Sequence, residues 1–554
     1  MGVSCCKMGR FAKAALLLLC CLLTALPLFA LAGCSDDGEE NGQVILSYLE
    51  QEPESLDPQV AQDTSAKLVI TNLFEGLTRL DASGQAQPGA AESWTASADN
   101  TSFTFHLRSD ARWPVWEDDE GQEVDAPVTA ADFVFGLRRA LDPATNSPEA
   151  QTLYCIKNAR QVNEGTLPVE ELGVRAEGDY TLVIELEYAY EQFPTLMAQT
   201  VAMPCNEAFF RFTGGQYGLE TNCVLGNGPF SIAAYGWEHE EYINLTVNSR
   251  YQGQQQVVPA GVEFTIGEAP QDTAGALASG QLDVASLPGV QLAKAQQEGL
   301  NLTSFEDTTW GLCFNTQTSP FNNRNVRLGL IQSLDRDYVL QALPDNCTPG
   351  EDIVLPQATL LGQSYRDQAG GGFYLKQDDN AKALLQQGLT EAGLDRLNLT
   401  VLCLDSSGFK QMATHMLEVW NRELGYYFNL EAVSLSELEQ RIRSGDYEAV
   451  IAPLQAQQDG PLEVLSLFES SSSENPASLQ DAAYDGLLAA ASFSDGAQML
   501  QAAVSAEQYL NTNGIFYPLC YEKRYFATAP NVTGVVFYPY DGGIDFRTAT
   551  KTAA

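Results

Sequence analysis

Between Leu312 and Leu454 the chain alternates two kinds of apolar spacing, and that alternation restricts its fold more than any other feature. "NVRLGLIQSLDRDYVLQAL" stripes Val326, Leu330 and Leu334 at helical spacing, and "NAKALLQQGLTEAGL" is a helix that stops at Gly393. "NLTVLCL" reads as a strand, "FKQMATHMLEVWNREL" as a helix ending before Gly425, and "YFNLEAV" as a strand. "SELEQRIRSG" follows as a helix and "DYEAVIAPL" as a strand. Strands alternating with helices build a parallel or mixed sheet covered on both faces, with ligands bound by the loops at the strand ends. "QAGGGF" (Gln368–Phe373) and "ESSSSENPAS" (Glu469–Ser478) read as loops.

The N-terminal third has a different rhythm. "QVILSYL" is a buried strand, and "SFTFHLR" places Phe103, Phe105 and Leu107 on one face of a half-buried strand. "DYTLVIELEY" behaves likewise. "VTAADFVFGLRRAL" opens with Thr129 and Asp132 at capping-box spacing and aligns Phe133, Leu137 and Leu141. This part is therefore mixed α and β, and the chain is long enough for at least two domains.

The first residues are not part of either rhythm. Lys7, Arg10 and Lys13 precede an uncharged run, Ala14 to Gly33, whose apolar part has the length of a signal-peptide core rather than of a membrane span. Leu31-Ala32-Gly33-Cys34 resembles the bacterial lipobox, which makes residues 1–33 a signal peptide, Cys34 the lipid-bearing mature N-terminus and residues 34–42 a polar tether. A plain N-terminal membrane anchor is the alternative; with either, the protein is exported and held at the membrane.

With 72 acidic and 30 basic residues the chain carries a formal charge of −42, which repels phosphate backbones and excludes nucleic acid as a partner. Beyond the leader and Cys34, seven cysteines remain: Cys155, Cys205, Cys223, Cys313, Cys347, Cys403 and Cys520. None is spaced as a CxxC zinc ligand pair. Export permits disulfides, and Cys205 and Cys223 are the nearest pair in sequence, but connectivity does not follow from spacing.

Catalytic signatures are missing. His106, His239 and His415 are scattered, "HEEYI" lacks the second histidine of a zinc-protease helix, and neither a G-x-S-x-G elbow nor a phosphate loop occurs. "GNGPF" (Gly226–Phe230) lacks the third glycine of a dinucleotide fingerprint and reads as a tight turn entering a strand. No enzyme activity, metal or cofactor is expected.

Several phrases taken together resemble the family 5 extracellular solute-binding proteins, the oligopeptide- and dipeptide-binding receptors of ABC importers. "EPESLDPQVAQDTSAKLVITNLFEGLTRLDASGQAQPGAAESW" and "PVTAADFVFGLRRALDP" are similar to that family's N-terminal part. "GNGPFSIAAYGWEHEEYINLTVNSRYQG", "FNTQTSPFNNRNVRLGLIQSLDRD" and "GIFYPLCYEKRYFATAPNVTGVVFYP" follow in the family's order. The resemblance implies an α/β, bilobal periplasmic-binding-protein-like fold (type II, large peptide-binding subclass) with an extra inserted subdomain and a central cleft. It implies lobe I in residues 43–74, 191–308 and 516–554, the inserted subdomain in 75–190 and lobe II in 309–515.

By position, the resemblance assigns to the cleft the loop Gln62, Asp63, Thr64 and Ser65, and the loop from Asp405 to Phe409 after the "TVLCL" strand. A plain surface turn, and a strand-to-helix connection capped by Asp405, are the alternatives. Trp310 and Phe314 either pack on the ligand or fill the interior beside the hinge. In "IAPLQAQQDGPLEVL" the family's usual aspartate, which pairs with a peptide's α-ammonium, is replaced by Gln457, and an arginine found in some members by Ile451. Asp459 is the nearby substitute. The expectation is a monomeric, lipid-anchored receptor on the extracytoplasmic face that passes oligopeptides to ABC permease subunits. The alternatives are another solute (an oligosaccharide, a metal chelate or a small organic molecule) or a surface sensor, adhesin or chaperone.

Overall fold

The computed structural model describes residues 43–118, 120–456, 459–492, 496–539 and 543–552. The strand Val44–Leu49 does not pair with its neighbours in sequence. It lies parallel to Gly261–Ile266, Val44 opposite Gly261 and Leu49 opposite Ile266, and Tyr242–Val247 and Phe230–Glu238 extend the sheet antiparallel. A parallel pair needs a crossover, and here the crossover contains a whole subdomain.

The helix Thr64–Leu73 packs its apolar face, Ala66, Val69, Ile70 and Leu73, into this lobe's core. Asp63 caps it, accepting the Ala66 N–H at 2.7 Å. The "GNGPF" turn closes on the helix end. A Cβ at Gly226 would collide with the Leu73 carbonyl oxygen, and Asn227 bonds both backbone groups of Glu75, at 3.0 and 2.9 Å. The glycines are there for close approach, as the turn reading requires. The C-terminal segment returns to the same lobe: Asn72 donates to the Ile544 carbonyl at 2.7 Å and accepts from the Phe546 N–H at 3.0 Å.

The inserted part is an antiparallel sheet of Ala91–Ala96, Ser102–Leu107, Thr181–Glu185 and Val174–Ala176. The helix Ala130–Leu141 covers it. Phe103, Phe105 and Leu107 meet Phe133, Leu137 and Leu141 in one core, and the Thr129 N–H bonds Asp132 at 2.7 Å, as the capping-box spacing foretells.

The alternating region forms a mixed sheet. Asn429–Val433 and Ala449–Gln455 flank Thr400–Leu404 in parallel, and the helices Ser407–Leu424 and Leu435–Ser444 end at Gly425 and Gly445, both with positive φ. The stripe through Val326, Leu330 and Leu334 is not one helix. It breaks after Arg324–Gln332, and Asp335 restarts it by accepting the Tyr338 N–H at 3.2 Å. Gln368 and Ala369 also end a short helix, Tyr365–Ala369, so that loop begins at Gly370.

Two long antiparallel strands, Asn301–Phe314 and Phe516–Thr528, run from one core to the other. At one end Leu302 and Phe305 pack against the first lobe; at the other Trp310, Leu312 and Phe314 belong to the second lobe's core. Their register shifts between Glu306 and Thr308, midway along the crossing. A bulge bends a strand locally, so the chain has its bend where the two lobes meet.

Candidate functional site

Two cavities lie between the lobes, on either side of this crossing. The first, of about 550 Å³, is lined from the crossing strands by Asp307, Thr308, Trp310, Glu522 and Arg524 and from the second lobe by Pro453, Gln455 and Glu463. The second, of about 500 Å³, takes in Phe305, Tyr190, Thr359, Leu361, Asp459 and Tyr538. Each falls within the size range of small-ligand sites.

The first cavity is strongly charged. Trp310 packs against Phe409, with ring centroids 4.2 Å apart and planes tilted by 42°, and donates its indole N–H to Glu522 at 2.5 Å. Glu522 also accepts from Asn346 at 2.8 Å; burial raises its pKa, and these two donors oppose the rise. Arg524 pairs with the buried Asp307 at 2.7 Å. Burial lifts Asp307 above the usual carboxylate range, and the charge of Arg524 opposes it. Glu463 is pushed up to about 7, first by burial and then by the charge of Glu149, with Lys67 pulling the other way. Lys67 and Glu149 form a largely buried ion pair in the first lobe and inserted subdomain, so Glu463 meets them across the lobe boundary.

The cavity also exposes a strand edge. The Ala456 N–H bonds the Asp307 carbonyl at 2.8 Å and the Asn315 N–H the Glu448 carbonyl at 3.1 Å, in one unbroken register. Antiparallel pairs alternate, so the even-numbered residues of Ala449–Gln455 bond the crossing strand and the odd-numbered ones direct their backbone groups away from it. On that side Thr400–Leu404 pairs only as far as Val450. Among the described residues, the backbone of Pro453 and Gln455 on this side therefore has no strand partner at the cavity they line, and proline offers a carbonyl but no N–H.

The residues singled out from the sequence are distributed unevenly. Trp310 lines the first cavity, and Phe409 lies buried behind it. Asp459 lines the second cavity, accepting the Thr359 N–H at 2.8 Å. Gln62 and Thr64 are exposed, Asp63 is a helix cap, and none of the three lines either cavity. Phe314 is fully buried on Phe321, in the core rather than at a cavity. Asp405 is exposed and paired with Lys410, and Ser406, not Asp405, caps the helix that follows. Gln457 and Cys34 lie outside the described residues. Cys205 and Cys223 are both free thiols, as are the other five cysteines beyond Cys34. Glu522, Asp307, Arg524 and Glu463 were not legible as site residues, because carboxylates abound in this chain and nothing local marks these four.

Two lobes joined by a pair of strands whose register shifts at the crossing, with cavities between the lobes, define a solute-binding protein of the bilobal periplasmic-binding type. The model of the bacterial extracellular solute-binding proteins, family 5 (middle region), matches residues 85–476. Curated relatives include the dipeptide-binding protein DppE of Bacillus subtilis, 26% identical over 94% of this chain and 97% of that one. The probable deoxycholate-binding periplasmic protein YgiS of Escherichia coli is 28% identical over 94% of this chain and 95% of its own length. Among solved structures, the substrate-binding domain of an oligopeptide ABC transporter from Bacillus anthracis matches with a TM-score of 0.72 and 28% identity, covering 92% of this chain and 99% of that one. The chain belongs to the family 5 extracellular solute-binding proteins.

Proposed function

We propose that the protein is an extracytoplasmic receptor, tethered by lipid at Cys34, that closes on oligopeptides and presents them to the permease of an ABC transporter. The observation that carries this reading is the free strand edge at Pro453 and Gln455, in a charged cavity between the lobes. An extended peptide adds to such an edge through its backbone, leaving its side chains to neighbouring pockets. The relatives named for dipeptide binding and oligopeptide transport support the same ligand class. The receptor works as a monomer and without catalysis, since capture needs a desolvating cleft and polar anchors but no reactive group.

A second reading, a non-peptide organic solute, is favoured by Pro453. Its missing N–H removes one of the bonds a peptide backbone would form, and one relative is named for a bile acid. The deciding experiment incubates the purified chain with a mixed tetrapeptide pool and identifies retained molecules by mass spectrometry, with small-angle scattering on the same samples. Peptide retention with a smaller radius of gyration is the expected result. Retention of no peptide, with a non-peptide molecule co-purifying from the native host, selects the second reading.

A further inference from the structure

Of the seven cysteines that follow Cys34, two meet. The short strand Cys347–Pro349 lies antiparallel against the crossing strand Phe516–Thr528, with Cys347 opposite Glu522 and Pro349 opposite Cys520. Residues opposite one another share a face of the sheet, as do residues two apart along a strand. Cys347 and Cys520 are therefore diagonal neighbours on one face. Their thiols are in hydrogen-bond contact, and that contact, ahead of burial, raises the Cys347 pKa. Cys155, Cys205, Cys223, Cys313 and Cys403 are raised first by burial and, among the described residues, none of them by a second thiol.

A disulfide needs its Cα atoms within about 7 Å, close to the spacing of a diagonal pair. The strand that carries Cys347 is able to make the small adjustment. It is three residues long, and among the described residues its far side pairs with no other strand. The same segment builds the cavity wall. Asn346, which lines the first cavity, precedes Cys347; its amide donates to Glu522 at 2.8 Å and its carbonyl accepts the Lys523 N–H at 2.7 Å. Thr348 donates its hydroxyl to Glu306 at 3.0 Å, at the bulge of the crossing. The Gly350 N–H bonds the Leu519 carbonyl at 3.0 Å.

We propose that Cys347 and Cys520 are joined by a disulfide in the exported protein, and that the bond pins the Asn346–Thr348 wall of the first cavity to the crossing strand while the lobes move. The structure holds the pair as two thiols, Cys347 half-buried and Cys520 fully buried, so an oxidant reaches Cys347 first. The oxidant is itself a disulfide, carried by a protein or a small molecule. The Cys347 sulfur attacks it, forming a mixed disulfide and releasing one oxidant sulfur as a thiol. The Cys520 sulfur then attacks the Cys347 sulfur, and the second oxidant sulfur leaves as a thiol. Two electrons and the two cysteine protons end on the oxidant. The new bond closes a loop of more than a hundred residues, a strong constraint on the unfolded chain. Pinning in this way serves any solute, peptide or not.

The test takes the full chain from its native host, quenches it in acid, alkylates it under denaturing conditions and digests it without reductant. Mass spectrometry should find a peptide pair joined through Cys347 and Cys520. Purified chain treated with oxidised glutathione then serves for two further measurements. Dithiothreitol should lower its Tm by roughly 5 °C and speed hydrogen exchange at the Thr348 and Gly350 amides tenfold or more. Cys347→Ser, at the half-buried partner, should show the reduced protein's Tm and exchange with or without dithiothreitol. Absence of the joined peptide from the host protein, or either cysteine found joined elsewhere, overturns the disulfide. A joined peptide whose reduction leaves exchange at these amides unchanged overturns the pinning.

Discussion

The Trp310 indole N–H meets the Glu522 carboxylate at 2.5 Å across the two strands that join the lobes, just beyond the bulge at Glu306–Thr308. Glu522 serves a second donor, the Asn346 amide, at 2.8 Å. Removing the carboxylate leaves two donors in the cavity wall without an acceptor, which costs about 1–3 kcal/mol for each buried group left unpaired. Glu522→Ala should lower the urea midpoint accordingly and shift Trp310 emission to the red. Glu522→Gln keeps one acceptor oxygen and should lose less than half as much. Equal losses in the two variants would mean that side-chain volume, not hydrogen bonding, matters here.

Glu463 should make ligand binding depend on pH. On the second lobe it faces Lys67 and Glu149 of the other half, and Asp459 beside it, and its pKa rises from 4.5 to about 7. A raised carboxylate pKa means that the closed form holds a proton which the open form, with Glu463 in water, has released. Closure is therefore unpenalised below the open-form value. It weakens as pH climbs from 4.5 to about 7 and is level above that. Affinity for a retained peptide, read by calorimetry, should fall about fortyfold, or about 2 kcal/mol, between roughly pH 5 and pH 7. Glu463→Gln should flatten the profile. Asp307, Asp459 and Glu522 are raised in the same direction, so a profile unchanged in this variant would move the titration to one of them.

Local chemistry made the scaffold readable. Phe103, Phe105 and Leu107 alternate because one strand face is buried, and Gly425 and Gly445 stop helices because glycine tolerates positive φ. The break at Asp335 was hidden because the apolar stripe continues through Leu334 on both sides of it. The cavity walls were hidden for a different reason. Asp307 and Arg524 are separated by more than two hundred positions and meet only through the register of the crossing strands. Position along the chain located the "IAPLQ" strand, but its free edge depends on where Thr400–Leu404 stops pairing, which is a tertiary fact.

The "LAGC" junction predicts that Cys34 carries lipid. Cys34→Ser should either accumulate as the full-length precursor or appear in the soluble fraction, read by fractionation and mass spectrometry of the N-terminus. A mature, membrane-bound Cys34→Ser protein would refute the lipoprotein reading.

Gln457 predicts that a peptide's free amino terminus is not the main anchor. Family members that bind peptides commonly place an aspartate there, and a charge-assisted bond is roughly twice as strong as the neutral one a glutamine amide offers. The nearby Asp459 does not replace it freely, since Thr359 engages both of its oxygens. Recognition is then expected to rest on the strand edge at Pro453 and Gln455. Calorimetry on one peptide in free and N-acetylated form should give affinities within about threefold. A loss near tenfold, about 1.4 kcal/mol, would reveal a charged anchor after all. Gln457→Asp is the complementary measurement: it should strengthen free-amine peptides and leave acetylated ones unchanged. A gain shared equally by both forms would show that the new carboxylate acts through the fold of the loop rather than on the ligand.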